Sequence, residues 1–286
     1  MSIGGLVEGV RDSVGRRIFA RVAGPEGPGR RDRIHGADGP RWFEAGSPIQ
    51  RVHGDASMFV GGIRALLLQS LHPLAMAGVL EHSGFAGDPW GRLQRTSHFL
   101  AVTTFGTAND AGRMVAAIRH VHETVVGVSA DGVPYAASDP HLLRWVHVAE
   151  IDSFLTAHQS YGARPLDQDE RDTYVAQAAR VATELGVVSP PRTERELRDQ
   201  LRDYRPELVG TPGARAPARF LVLNPPLPVL ARVPYAGLSA AAVSSMPLWA
   251  RRQLLLPVLP VTERLLVRTT GAALTRTIRW ALAPAS

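Results

Sequence analysis

Apolar positions recur along this chain at intervals of three and four. The first clear run is Leu6, Val10, Val14, Ile18 and Val22, with arginines on the opposite side. That spacing predicts an amphipathic helix over 5–23 that docks on the remainder of the molecule or lies on a membrane surface. From Gly24 to Gly39, glycine, proline and arginine dominate without an apolar period, which reads as a mobile linker. Order resumes at Trp42-Phe43, and Ser47-Pro48 has the cap and first-turn chemistry of a helix start. Asp55 to Leu71 is strongly apolar, and Gly61-Gly62 permits close helix contact or a kink. His72-Pro73 breaks this helix, because the residue before proline is driven out of the α region. A helix from Pro73 to His82 comes next and ends near Ser83-Gly84.

Asp88-Pro89 opens the next helix, which runs to about Phe105 and stops at Gly106. Asn109 or Asp110 caps another, reaching Val126 and closing on Gly127. Asp139-Pro140 opens a third, Leu142 to about Tyr161, with a buried face of Leu143, Val146/His147, Glu150/Ile151 and Phe154, and Gly162 ends it. Asp167 to Glu170 leads a helix to Leu185, its acids complementing the dipole, before Gly186. Thr193-Glu-Arg-Glu196 is a capping-box pattern. Prolines are frequent from Arg205 to Pro234, where Leu227 to Leu230 reads as little more than a turn. Apolar segments Leu238–Ala250, Arg252–Leu256 and Val261–Ala283 then alternate with prolines. Strand-period runs and internal repeats are missing. The predicted class is all-α, with about ten helices. Residues 1–40 form the N-terminal helix and linker, and 41–286 form one multi-helix domain with a Pro-rich helical C-terminal extension.

Composition narrows the chemistry. The 286 residues include no cysteine, which excludes disulfides and thiolate ligands to a metal or haem. All 32 basic residues are arginine, so no lysine Schiff base or lysine general base is available. The net charge is +6, but the arginines are scattered among Asp and Glu and lack the focused patch and aromatic platforms of nucleic-acid binding. The N-terminus lacks the order of a signal peptide, and no apolar run approaches the roughly 20 residues needed to span a bilayer. The expected location is cytoplasmic, or peripheral to a membrane through the N-terminal helix or the C-terminal Arg/Leu helices.

Among chemistry-bearing residues, His122 shares a helix face with Met114, Ile118 and Val125, which suits a core histidine as well as a ligand. His120 lies about 200° round the same helix, so only one of the two points into a given pocket, and the apolar stripe selects His122. His147 shares an apolar face with Leu143, Ile151 and Phe154, and Glu150 lies one turn on, near enough to orient it or take its proton. Arg92 and Thr96 are neighbours at i,i+4, on a face that also carries Arg95. A solvated helix face explains that spacing as readily as an anion or oxygen site. Zincin, di-iron bundle, Walker, dinucleotide-binding and serine-hydrolase signatures are missing.

Several blocks in order resemble one known family: Ser47-Pro-Ile-Gln-Arg-Val-His-Gly-Asp55, Gln69-Ser-Leu-His-Pro73, Gly78-Val-Leu-Glu-His-Ser83, Asp88-Pro-Trp-Gly-Arg92-Leu-Gln-Arg-Thr96, His122-Glu-Thr-Val-Val-Gly127 and Leu143-Arg-Trp-Val-His147. Over about residues 42–260 the chain resembles the DUF2236 family, which includes the latex clearing protein (a rubber oxygenase) and the MpaB-type oxygenase of the mycophenolic acid pathway. The resemblance implies a globin-like helical core holding haem b. It makes His122 the proximal iron ligand and places Arg92 and Thr96 at the outer positions of a distal Arg-x-x-Lys-Thr cluster. Arg95 replaces that cluster's lysine, and a permanently charged guanidinium is no proton donor. The implied function is a haem-dependent oxidoreductase, an oxygenase using O2 or peroxide on a lipophilic small molecule. His122 would bind iron with its second nitrogen donating to a carbonyl or carboxylate, Arg92 and Thr96 would stabilise bound O2 or an oxyanion, and His147 would line the pocket. The alternatives are a haem carrier or sensor without turnover and a family member without haem.

Overall fold

The computed structural model describes residues 3–82 and 88–283, with the side chains of Ile3, Leu6, Val7 and Arg264 left aside. Fifteen helices account for nearly all regular structure among the described residues: α1 (Ile3–Ala23), α2 (Gly27–Gly36), α3 (Pro48–His53), α4 (Met58–Gln69), α5 (Pro73–His82), α6 (Pro89–Phe105), α7 (Ala108–Thr124), α8 (Pro140–Tyr161), α9 (Gln168–Leu185), α10 (Glu194–Asp203), α11 (Pro212–Leu223), α12 (Val229–Ser245), α13 (Leu248–Gln253), α14 (Pro260–Thr262) and α15 (Arg268–Leu282). Outside them lie the 3-10 turn Arg205–Glu207, a π-helical turn Glu263–Val267 and a small antiparallel hairpin, β1 (Val126–Val128) with β2 (Pro134–Ala136). The fold is all-α.

Helix α8 is the shared wall of the interior. Trp145, Ala149, Ala157 and Tyr161 face a core built with α4, α11 and α12, while Val148, Ile151, Phe154 and Leu155 face one built with α3, α9 and α10. A helix apolar all round is buried on several sides, which corrects the single face expected from Leu143 to Phe154. Leu143 is only partly buried and Val146 is exposed. Against α8 packs α4, and the close approach falls at Gly61, where a Cβ would stand 3.0 Å from Phe154 Cδ1 and 3.3 Å from Ala157 Cβ. Gly62 has open space, so close contact rather than a kink explains the pair. A buried ion pair lies in the same contact: Arg64 Nη1 is 2.8 Å from Asp152 Oδ2 and donates to Ser153 Oγ at 2.7 Å, while Nε donates to the Ser245 carbonyl.

The predicted proline starts hold. Asp88, Asp139 and Asp167 each cap the adjoining helix, and Asp167 with Glu170 completes a capping box. At Thr193 the hydroxyl accepts from Glu196 N, but the Glu196 carboxylate reaches Arg192 N instead of closing the box on Thr193. Between α4 and α5 the chain turns by 109° at the His72-Pro73 break.

Several boundaries differ from expectation. The stretch Gly24 to Gly39 contains α2, whose Gly27-Pro28 start leaves α1 and packs against both α1 and α6. Helix α1 docks on α15 and α6, yet Val10 and Val14 stay exposed, so the four-spaced stripe is not the whole docking face. Thr107, not Asn109 or Asp110, caps α7; Asp110 instead accepts the Thr107 hydroxyl. That helix ends at Thr124 because Val125 turns extended into β1. In the C-terminal third, α11 and α12 carry Pro217 and Pro234 in their interiors, and of the expected turn Leu227 to Leu230 the last two residues open α12, where tertiary packing overrides the breaker rule. The expected helix end at Ser83-Gly84 lies outside the described residues. Among the described residues no single helix is long and apolar enough to cross a membrane.

Removing one partner of the Arg64–Asp152 pair leaves a buried charge uncompensated. Arg64→Ala is expected to lower the unfolding free energy by about 3–5 kcal/mol, read from the denaturant midpoint at unchanged slope.

Candidate functional site

The site region begins with a helical hairpin. Helices α6 and α7 are joined by the two-residue link Gly106-Thr107 and pack against each other. Arg92 lies 13 residues before Phe105 and His122 lies 14 residues after Ala108, and at the α-helical rise both are about 20 Å from the turn. The hairpin therefore carries Arg92 and His122 to the same end, with Thr96 one turn closer to the link.

At that end α6 is clamped from two directions. The Trp90 indole N–H donates to the Pro226 carbonyl at 3.2 Å, and the Arg21 guanidinium stacks 4.6 Å from the Trp90 ring. Asp88 caps the helix through Gly91 N and also faces Arg95 at 3.4 Å. Arg95 is exposed, so its pair with Asp88 is a weak surface contact. Thr96 is exposed and Arg92 is partly buried. Burial, then the neighbouring Arg95 charge, pulls the Arg92 guanidinium below its ordinary pKa.

The C-terminal end of α7 is fixed by the β1–β2 hairpin. Strand β1 pairs with β2, and the Tyr135 hydroxyl on β2 donates to Glu81 Oε2 of α5 at 2.5 Å. Gly127 lies under that bond: a Cβ there would stand 2.4 Å from Tyr135 Oη. The glycine that ends the His122 block is thus a close-approach position that seats the hairpin on α5. His120 is 80% exposed beside Glu123, whereas His122 is half-buried with Nδ1 screened from solvent and without a hydrogen-bond partner. Burial lowers the His122 pKa, so the ring is neutral near pH 7, the form that ligates a metal.

The remaining sequence-selected residues, His147 and Glu150, lie on α8, outside the α6–α7 hairpin. His147 sits on α8, buried, with Nε2 unpartnered and a pKa held down to about 4 by burial. No hydrogen bond links it to Glu150, contrary to the expected orienting pair. Glu150 instead lies near Tyr174 of α9, whose hydroxyl pKa is pushed up by burial and by the Glu150 and Asp152 charges. Burial pushes the Glu150 carboxyl up to about 7. A surface groove between the Trp42–Ser47 segment and α9, lined by Trp42, Glu44, Thr173, Gln177 and Arg180, includes none of these residues.

Sequence reasoning missed a third histidine group. His72, at the α4–α5 corner, meets His141 and Glu207, which lie far away in the sequence. Spacing carries no trace of this group. The only pointer was His72-Pro73 itself, read as a break and not as chemistry.

A family model described as "ER-bound oxygenase mpaB/B'/Rubber oxygenase, catalytic domain" matches residues 50–280. Two uncharacterized proteins, Rv2237 of Mycobacterium tuberculosis and Mb2261 of Mycobacterium bovis, are each 32% identical to the chain over 127 residues, which is 43% of this chain and 49% of each relative. The chain thus spans about half the length of the curated relatives it matches. No solved structure matches.

The opposed pKa shifts on α8 give a pH test. Glu150 has a native pKa of about 7 against 4.5 unfolded, so its contribution is fullest below pH 4.5 and declines as pH rises to 7. His147 has a native pKa of about 4 against 6.5 unfolded, so its contribution is lost as pH falls from 6.5 to 4. In wild type the two slopes offset. Glu150→Gln is expected to match wild type at pH 4 and exceed it at pH 8 by on the order of 1–3 kcal/mol in urea unfolding. Equal stability of the two proteins at both pH values is the contrary result.

Proposed function

The chain belongs to the mpaB/B′ and rubber oxygenase catalytic-domain family, and from that premise we propose that it is a haem-dependent oxygenase acting on a lipophilic small molecule. The observation that carries this reading is His122: a neutral, half-buried imidazole whose screened Nδ1 finds no partner in the protein. Native proteins satisfy buried nitrogens, and an orphan at this position fits a ligand that protein atoms do not supply. In this reading His122 holds the iron of haem b. When bound, the haem supplies the redox chemistry by which O2 or peroxide is activated.

The chain's own residues supply the rest. Arg92 remains cationic despite its burial and donates charge-assisted hydrogen bonds to an anionic group, a propionate or a developing oxyanion. Thr96, one turn away, adds a hydroxyl that both donates and accepts. His147 stays uncharged at neutral pH and contributes an apolar wall with one acceptor nitrogen. With no cysteine in the chain, thiolate ligation is excluded. The lipophilic substrate is taken from the family, and O2 or peroxide is the co-substrate.

Absorbance of the purified, haem-reconstituted protein tests the assignment. A Soret band is expected in wild type and in His120→Ala, and its loss is expected in His122→Ala. A band retained in His122→Ala and lost in His120→Ala moves the ligand to the exposed face, and no band in any of the three ends the haem reading. Haem-loaded protein that consumes neither O2 nor peroxide with lipophilic substrates leaves a carrier in place of an oxygenase.

A further inference from the structure

Away from the α6–α7 hairpin, three ligand-bearing side chains converge from distant parts of the chain. His72 stands at the α4–α5 corner, His141 in the first turn of α8, and Glu207 in the 3-10 turn Arg205–Glu207 after α10. Their ligand atoms all lie within 4.8 Å of one another. We infer that His72, His141 and Glu207 form a binding site for a divalent transition-metal ion of the zinc class.

The geometry is close to what such an ion requires. Two ligands on one tetrahedral zinc, with bonds of about 2.0–2.1 Å, are separated by about 3.3 Å. His72 Nε2 and Glu207 Oε2 are 3.4 Å apart. His141 Nε2 and Glu207 Oε2 are 2.7 Å apart, a hydrogen bond that opens by about half an ångström on metal binding. Two imidazoles and one carboxylate form a borderline donor set, suited to zinc, cobalt or iron(II) and not to magnesium or calcium.

An ordinary ion pair between His141 and Glu207 does not account for His72. That ring is 3% exposed; its Nε2 has only the 3.4 Å contact with Glu207 Oε2, and its Nδ1 has no hydrogen-bond partner. Trp145 and Tyr204 wall it in, with ring centroids 6.2 and 6.5 Å away. A buried imidazole held by one long contact to a carboxylate already shared with His141 leaves room for an ion that all three bind. The His141 and Glu207 side chains are 42% and 43% exposed, so the fourth coordination position opens to solvent and the ion has an entry path.

A supporting shell surrounds the group. Tyr204 Oη donates to the His141 carbonyl at 2.8 Å and accepts from Arg144 Nε at 3.1 Å, which fixes the first turn of α8 against the turn holding Glu207. The same oxygen is 3.5 Å from His141 Nδ1 and can accept a hydrogen bond from the Nδ1–H of the tautomer whose Nε2 faces the metal. Arg144 is an unfavourable charge beside a cation, and its Nη2 is 3.5 Å from His141 Nδ1. Glu207 and the nearby Asp139 oppose it. A bound ion clips three segments together and so stabilises the folded chain.

The test uses the full-length protein, stripped with chelator and titrated with Zn2+. One zinc per chain by elemental analysis is expected, with the thermal midpoint raised by at least about 3 °C at saturation. His141→Ala and Glu207→Gln, both at partly exposed positions, are expected to keep the fold and weaken zinc binding at least about tenfold. His120→Ala, which removes an exposed histidine elsewhere, is expected to bind as wild type does. Stoichiometry below about one tenth in wild type overturns the inference, as does uptake undiminished in both His141→Ala and Glu207→Gln. Soret absorbance read on the same samples keeps this outcome separate from the haem assignment.

Discussion

The packing of α4 against α8, closed at Gly61 and charged at Arg64–Asp152, sets the positions of His72, His141 and His147. Gly61 lets two apolar helices approach until Phe154 and Ala157 touch backbone. Arg64 then fixes the register, because a guanidinium 3% exposed has few alternatives to Asp152, Ser153 and the Ser245 carbonyl. A buried pair of this kind is a poor source of net stability and a good source of specificity, since a slip of one helix along the other strands both charges. With that register held, α8 presents His141 at its start and His147 in its second turn, and α4 ends where the 109° corner delivers His72.

Burial decides the charge state of these groups. His147 is driven to a pKa of about 4, and His72 and His122 are lowered in the same direction by the same cause. Three imidazoles with unpartnered nitrogens are thus uncharged at neutral pH, which is the condition for ligating a metal and the opposite of what an anion site needs. Arg92 supplies the fixed positive charge near His122. The polar chemistry of the molecule is therefore divided between neutral donors on α7 and α8 and a cation on α6.

The legible part of this arrangement is local. Asp-Pro starts and glycine stops are short-range chemistry, so the bounds of α6, α8 and α9 could be read from a few adjacent residues. The choice of His122 over His120 needed only helical angles, and the structure puts His120 on the exposed face. What was not legible depends on long-range contact. Glycine and proline in α2, and Pro217 and Pro234 within α11 and α12, are outweighed by packing that no window of sequence contains. Val146 was assigned to a buried face by period alone, but α8 is covered on both sides and leaves that residue at the seam. His72, His141 and Glu207 are brought together only by the α4–α8 register, and nothing in their spacing announces it.

Arg95 gains a different meaning once its surroundings are known. As a replacement for lysine in a distal cluster it removes a proton donor, since a guanidinium does not titrate near neutral pH. In the structure it faces Asp88 at the N-terminus of α6, on an exposed surface, and its nearest influence on Arg92 is repulsion. Its pair with Asp88 is a weak surface contact, and Arg92 is the less exposed of the two cations. A reaction at this end that requires a proton near pH 7 cannot take it from Arg95, nor from a histidine whose pKa burial has lowered. Burial pushes the carboxyl of Glu150 up to about 7, but that group lies on α8 and not on this hairpin.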